Sequence, residues 1–246
     1  MTGGVLLGLC AAIAVVAFLY SAVGHAGASG YIAVMTLFGV AAATVKPAAL
    51  VLNILVACLA TWQYGRAGYF SWALFWPFAV LSVPLAFLGG YVNLPTHWFK
   101  VLIGLVLLFS AARFVFGEGK TESDEVAPPG RATALCVGGG IGLLSGLTGT
   151  GGGIFLTPIM IFLRWARMKP TAAVSALFIL VNSIAGLLGN FSSTRRLPLF
   201  ALPLVAAALV GGGAGSYLGA RSFSPVFIKR LLALVLLIAG LKLMFA

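Results

Sequence analysis

Two glycine-rich runs, residues 24–30 and 146–153, combine backbone freedom with hydroxyl and imidazole side chains. Glycine adopts left-handed turns at little cost and lets a bound ion approach the backbone closely. Hydroxyl groups donate hydrogen bonds, and an imidazole can add a positive charge when it is protonated. The residues that these runs contribute to the predicted binding site are His25, Gly27, Ser29, Gly30, Thr148, Gly149, Thr150, Gly151, Gly152 and Gly153.

Acidic side chains are missing from every apolar stretch of the sequence. All four of them, Glu118, Glu122, Asp124 and Glu125, fall in one hydrophilic stretch. Cation sites and proton relays inside membranes usually need carboxylates. The sequence therefore favours an anion as the ligand of the glycine-rich runs.

Three polar side chains inside apolar stretches extend the predicted binding site: Asn53, Ser175 and Asn182. The alternative role for each is a hydrogen bond between helices. An intramembrane enzyme or redox subunit is disfavoured, because the only histidines are His25 and His97 and no nucleophile stands beside a general base. We therefore predict no catalytic residue, no metal site and no cofactor.

The composition indicates that most of this chain lies within a lipid bilayer. Of its 246 residues, 61% are hydrophobic and 8% are charged, whereas a soluble domain carries about 25% charged residues. The net charge of +11 does not indicate a nucleic-acid partner, because no hydrophilic domain exists to bind phosphates. Basic residues that flank apolar spans mark membrane topology and contact anionic lipid. The predicted class is an all-α integral membrane protein that crosses the cell inner (cytoplasmic) membrane several times.

Ten apolar segments of helical length follow one another along the chain. A full crossing needs about 20 apolar residues, so the short segments beside glycine runs are predicted to be broken or re-entrant helices. A count of eight crossings is the alternative to ten. The segments are 4–23, 31–45, 48–64, 71–92, 98–116, 132–147, 154–165, 171–190, 198–219 and 224–245.

The chain divides into two similar halves, residues 1–117 and 132–246, joined by a hydrophilic linker at 118–131. Aligning Lys46-Pro47 with Lys169-Pro170 also superposes Gly30 on Gly153 and Val51 on Val174. Many transporters are built from such repeats, with the substrate site between them. With five crossings in each half, the second half would be inverted relative to the first. The repeated lysines either attract anions to the two mouths or anchor the helices at the interface.

Basic residues predict the orientation of the chain. If all ten segments cross, ten of the 15 Lys and Arg residues fall on one side, which the positive-inside rule makes cytoplasmic. Both termini then lie outside. The ten residues are Arg66, Arg113, Lys120, Arg131, Arg164, Arg167, Lys169, Arg221, Lys229 and Arg230.

The glycine runs predict unwound breaks, each followed by a new helix. Consecutive glycines cost a helix about 1 kcal/mol each relative to alanine. About 24 Å of helix separates Gly30 from Lys46, and about 17 Å separates Gly153 from Arg164. Both distances are shorter than a core of about 30 Å, so both helices should begin inside the membrane. A helix that begins there points free N–H groups and partial positive charge at an anion.

The second run resembles the TauE/SafE family of sulfite exporters. The resemblance covers nearly the whole chain and is carried by Gly149-Thr150-Gly151-Gly152-Gly153, Pro158, Lys169-Pro170 and Ala173-Val174-Ser175. It implies an all-helical inner-membrane transporter for sulfite, sulfoacetate or related anions. The first run is a degenerate copy that matches at Gly27 and Gly30.

The functional hypothesis is a secondary carrier that moves a small oxyanion, sulfite or an organosulfonate, by alternating access. An anion channel that uses the same site is the alternative. The expected partners are a small anion and the lipid bilayer, and the sequence leaves open a homo-oligomer. The first repeat departs from the family pattern at Ala28, Ser29 and Met35.

Overall fold

The computed structural model describes residues 3–92, 108, 112, 126–195 and 202–245. These residues contain helices and their connections, and no strand is found among them. Apart from residues 108 and 112, the predicted segment 98–116 lies outside the described residues, as does the acidic part of the linker. The helices are α1 (Gly3–Ser21), α2 (Ala28–Leu37), α3 (Ala42–Arg66), α4 (Trp72–Tyr91), α5 (Arg131–Thr148), α6 (Gly153–Phe162), α7 (Met168–Thr194), α8 (Leu202–Arg221) and α9 (Pro225–Phe245).

Within the described part, five helices are long and apolar enough to cross a membrane: α1, α3, α4, α7 and α8. Helices α2 and α6 are apolar but have only 10 residues each. Ten residues of α-helix span about 15 Å, which is half of the hydrocarbon core. The prediction of an all-helical membrane protein is confirmed.

The predicted helical segment 31–45 is wrong at its C-terminal end. Helix α2 stops at Leu37, because Gly39 takes a left-handed φ of 73° and the Val40 N–H turns back to the Met35 carbonyl. This C-terminal turn is a common way to end a helix. Lys46 therefore lies near the start of α3, and α2 is much shorter than the 24 Å expected from the sequence.

The helices of the two predicted halves are interleaved. The most extensive contacts place α4 on α5 and α1 on α8, and α3 packs on α7. The fourth helix of each half therefore packs on the first helix of the other half. That the halves are inverted relative to each other stays a prediction.

Close helix contacts depend on glycines spaced four residues apart. On α5 and α8 a methyl group at these positions would overlap a backbone carbonyl oxygen of the facing segment, which is α4 for the first set and α1 with the next residue, Ala22, for the second. Small residues let helix backbones approach in membranes, where packing rather than water exclusion drives association. The glycines are Gly138, Gly142 and Gly146 on α5, and Gly211, Gly215 and Gly219 on α8.

This packing predicts different effects for two neighbouring glycines of α5. Gly142→Ala should lower the melting temperature of the purified protein, because the methyl group would overlap the Ser82 carbonyl oxygen. Overpacking of this kind costs about 1–3 kcal/mol. Gly140→Ala is the control, since that position has open space around it and alanine favours the helix. Equal melting temperatures for the two variants would contradict the packing account.

Candidate functional site

Both glycine-rich runs interrupt their helices, as predicted. Helix α1 ends at Ser21 and α2 begins at Ala28, while α5 ends at Thr148 and α6 begins at Gly153. The first break therefore comprises residues 22–27 and the second residues 149–152. Residues other than glycine rarely adopt a left-handed backbone conformation. Within the breaks this conformation occurs at Gly24, Gly27, Gly149, Gly151 and Gly152.

The two breaks lie side by side. A methyl group at Gly153 would stand 3.3 Å from the His25 ring. Asn53 of α3 accepts a hydrogen bond from the Ala28 N–H at 3.0 Å, and its side-chain nitrogen lies against Gly151. One amide side chain therefore fills the space between the start of α2 and the second break.

Asn53 is held at both ends of its amide. Its oxygen caps the first N–H of α2, and its nitrogen donates to the Ser183 hydroxyl at 2.8 Å. The residue is fully buried, so neither group has water as an alternative partner. Asn53 thus links α2, α3 and α7. It also accepts a hydrogen bond from one of the N–H groups that we expected, from the sequence, to be available to a ligand.

The start of α6 differs from the start of α2. Its N-cap is Gly152, and no side chain caps it. Residues 149–153 are all buried. The positive end of the α6 dipole therefore points into the protein without a capping side chain, which makes it the better of the two starts for holding an anion.

His25 links the first break to the second half of the chain. Its Nε2 shares a hydrogen bond of 2.8 Å with the Thr157 hydroxyl, which shares another of 2.8 Å with the Ser175 hydroxyl. Thr157 follows Gly153 by one helical turn, so this chain of polar groups runs along the same end of α6. Three elements are joined here: the first break, α6 and α7.

Five buried side-chain atoms in the described part of the chain have no hydrogen-bond partner. Native proteins satisfy most buried polar groups, and an unsatisfied one costs about 1–3 kcal/mol. Such atoms therefore call for an explanation, and a bound ligand is one. They are His25 Nδ1, Tyr31 Oη, Thr61 Oγ1, Ser145 Oγ and Thr171 Oγ1.

Three of these five atoms border the breaks. His25 is part of the first break, and a methyl group at Gly27 would stand 3.1 Å from Tyr31 Oη. A methyl group at Gly152 would stand 3.3 Å from Ser145 Cβ. Three buried polar atoms without a hydrogen-bond partner thus belong to residues in or beside the breaks.

The remaining predicted polar residues are already paired. Ser29 shares a hydrogen bond of 3.0 Å with Tyr20, and Thr148 shares one of 2.9 Å with Thr150. Gly30 packs against α1, away from the second break.

Asn182 faces α4. It accepts from the Ser82 hydroxyl at 2.6 Å and donates to the Phe178 carbonyl at 2.8 Å. Its contacts are those of the alternative role, a hydrogen bond between helices.

Sequence reasoning missed Ser145, Tyr31 and Thr157. Helical spacing offered a signal for Thr157, which lies four residues after Gly153. Ser145 and Tyr31 can be recognised as neighbours of the breaks only from the three-dimensional structure, because each lies in a helical part of the sequence with no distinguishing pattern.

The two repeated lysines have different surroundings. The Lys46 stem lies against the first residue of the second break, because a methyl group at Gly149 would stand 2.9 Å from its Cγ. Lys169 instead donates to Tyr69 Oη and the Ala220 carbonyl, both at 3.3 Å, and stacks over the Tyr69 ring at 5.0 Å. Lys46 therefore lies beside the candidate site, whereas Lys169 is held at the end of α8.

Comparison with known proteins agrees with this architecture. The model of the family described as "Sulfite exporter TauE/SafE" matches residues 9–243. The chain belongs to the TauE/SafE family. As a TauE/SafE protein it is a membrane transporter with several membrane-spanning helices.

Two curated relatives of this TauE/SafE protein carry transporter names. It is 39% identical to "Probable membrane transporter protein y4hK" of Sinorhizobium fredii, over 97% of this chain and 98% of that protein. It is 27% identical to "Probable membrane transporter protein YunE" of Bacillus subtilis, over 76% of this chain and 74% of that protein. No solved structure matches this chain.

A negative charge at Asn53 should separate folding from anion binding. In Asn53→Asp one carboxylate oxygen can still accept from the Ala28 N–H, and the Ser183 hydroxyl can rotate to donate to the other oxygen, so the fold should be retained. The added charge should weaken anion binding roughly one hundred-fold, because like charges about 6 Å apart repel by about 3 kcal/mol at a dielectric constant of about 20. Binding is measured with sulfite by isothermal titration calorimetry, and the fold by circular dichroism.

The control for this variant is Gln63→Glu, which adds the same charge beside Arg221 at 3.2 Å and outside the breaks. Its affinity for sulfite should equal that of the wild type. If the Asn53→Asp protein folds and binds sulfite with the affinity of the wild type, the anion site does not lie at the breaks.

Proposed function

We propose that this TauE/SafE protein is a secondary carrier of a small oxyanion, sulfite or an organosulfonate, in the cell inner membrane. The substrate binds where the starts of α2 and α6 meet. The observation that carries this proposal is the group of unpaired buried atoms around an uncapped helix start.

The chemistry of the breaks suits an oxyanion. Helix starts offer N–H groups and partial positive charge, and Tyr31, Ser145 and His25 add side chains that can donate hydrogen bonds. Gly151 and Gly152 hold the left-handed backbone that leads the chain into the start of α6. All acidic residues of the chain lie at 118–125, outside the helices described here, so no carboxylate of those helices repels an anion.

The burial of the breaks is consistent with alternating access. His25 is 1% exposed and Thr150 is 4% exposed, so the breaks are shut off from both sides in this conformation. Transport then requires the α2 or α6 region to move apart from its neighbours. We propose that this movement is the rocking of one inverted repeat against the other, a common mechanism in transporters with repeats.

Counterflow in proteoliposomes tests the carrier mechanism. Vesicles loaded with unlabelled sulfite should accumulate external labelled sulfite transiently, because a carrier exchanges one substrate for another. Vesicles without internal sulfite should show slower uptake. A single-channel current in planar bilayers, without counterflow, would replace the carrier by the channel alternative.

Two glycines of the same backbone conformation give a matched test of the site. Gly151 has a φ of 78° and Gly68 a φ of 79°, so alanine should cost each about 1–2 kcal/mol of left-handed strain. At Gly151 the methyl group also meets Asn53 and Ser183, whereas Gly68 has open space. Gly151→Ala should therefore abolish sulfite counterflow, and Gly68→Ala should retain it.

Melting temperatures of the two alanine variants control for the shared strain. The left-handed strain should lower both melting temperatures by a similar amount. Any additional decrease in Gly151→Ala measures the overlap with Asn53 and Ser183. Full counterflow by a folded Gly151→Ala protein would remove the second break from the substrate path.

A further inference from the structure

Lys46 brings a full positive charge to the second break. Its stem lies along Gly149, where a methyl group would stand 2.9 Å from Cγ and 3.7 Å from both Cδ and Cε. The ammonium is one bond beyond Cε, so it lies within about 5 Å of that methyl position. The substrate site proposed above does not include this lysine.

The Lys46 ammonium is not bound to another group of the described protein. Lys169, its counterpart in the second half, donates to Tyr69 Oη and the Ala220 carbonyl. Among the residues that the structure describes, the Lys46 ammonium has no such partner. All four acidic residues lie at 118–125, so no carboxylate of the described helices neutralises it. The charge of Lys46 can therefore act on a ligand, whereas the charge of Lys169 is held by the fold.

Helices α3 and α7 pack side by side in opposite directions. Asn53 of α3 donates to Ser183 of α7 at 2.8 Å. Three residues earlier on α3, Leu50 lies 4.0 Å from a methyl group placed at Gly186, which is three residues later on α7. This register continues toward the start of α3 and the end of α7.

A second polar level lies two helical turns beyond Asn53 and Ser183. Lys46 precedes Asn53 by seven residues and Asn190 follows Ser183 by seven, so each lies on the same face of its helix as the first pair, about 10 Å away. Asn190 is 3% exposed, and its amide carries two N–H donors. The register of α3 and α7 thus places an ammonium and a buried amide at one level.

Two threonines of the second break add hydroxyl groups beside Lys46. Thr148 and Thr150 flank Gly149 and share a hydrogen bond of 2.9 Å. The Thr148 hydroxyl donates to the Leu144 carbonyl at 2.7 Å, so Thr150 is the donor of the shared bond. The Thr150 O–H can turn to a ligand without leaving the Thr148 proton unpaired. The outer layer is defined as Lys46, Thr148, Thr150 and Asn190.

Exposure decreases from the outer layer to the start of α6. Lys46 and Thr148 are half-buried, Thr150 is 4% exposed, and residues 151–153 are buried. An anion that reaches the start of α6 from this side therefore passes the outer layer. A full positive charge at that point compensates for part of the hydration that the anion loses.

We propose that the outer layer is a second anion position, in which the Lys46 ammonium holds the oxyanion before it moves to the start of α6. This inference rests on the proposed function, because it takes the start of α6 as the substrate site. The attraction between two ions grows with the charge of each. Lys46 therefore makes the protein select a doubly charged oxyanion over a singly charged one of the same shape.

Counterflow kinetics of Lys46→Met test the role of the charge. Methionine keeps an unbranched stem against Gly149 but removes the ammonium. The KM for sulfite should rise about ten-fold, the effect of one half-buried charge on an anion. The maximal rate should stay that of the wild type, because the start of α6 is unchanged. Lys46→Arg should restore the wild-type KM.

Lys169→Met is the matched control, since it removes the repeated lysine whose ammonium is bound to Tyr69 and Ala220 instead. Its KM for sulfite should equal that of the wild type. Melting temperatures of all three variants show whether each protein is folded.

Competition by methanesulfonate separates charge from structure. Methanesulfonate has the three S–O oxygens of sulfite but a single charge, whereas sulfite slightly above neutral pH is mostly doubly charged. The wild type should bind sulfite about ten-fold more tightly than methanesulfonate, and Lys46→Met should lose most of this preference. A defect that is only structural would weaken binding of both anions equally.

Four results would each overturn the proposal: equal affinity of the wild type for the two anions, an unchanged KM in a folded Lys46→Met, an equal loss for both anions, or no rescue by Lys46→Arg. Absence of sulfite counterflow in the wild type would reject the proposed function itself, and this inference with it.

Discussion

The rest of this structure depends on how the buried starts of two half-length helices are satisfied. A helix that begins inside a membrane leaves N–H groups that neither lipid nor water can reach. At α2, Asn53 accepts from the first of them. At α6, glycines form the N-cap and no side chain takes that place. One start is thus capped by a side chain of the protein, and the other, without such a cap, is where we propose that the anion binds.

This arrangement requires close packing of the surrounding helices. Glycines on α5 and α8 bring these helices against the backbones of α4 and α1, which holds the two breaks next to each other. The proposed site therefore draws its groups from both halves: His25 and Tyr31 from the first, Ser145 and the α6 start from the second. Neither half could form it alone, because His25 relies on Thr157 and Asn53 on Ser183.

Much of the fold could be predicted from the sequence, because apolar length and glycine runs report directly on local structure. The breaks before Ala28 and Gly153 were predicted correctly, since closely spaced glycines disfavour a helix in any context. The end of α2 was not, because its stop signal is a single glycine, Gly39, within an apolar run. The pairing of polar groups could not be predicted either, since Asn53 and Ser183 meet only through the contact of α3 with α7.

The most direct test is to locate an oxyanion in the protein by anomalous X-ray scattering. Crystals soaked in selenate, whose selenium scatters anomalously, should show a peak at the start of α6, within hydrogen-bond distance of the Gly152 and Gly153 N–H groups, and excess sulfite should remove it. A peak that lies only at the outer ends of the helices, with the breaks empty, would contradict an anion site built from buried helix starts.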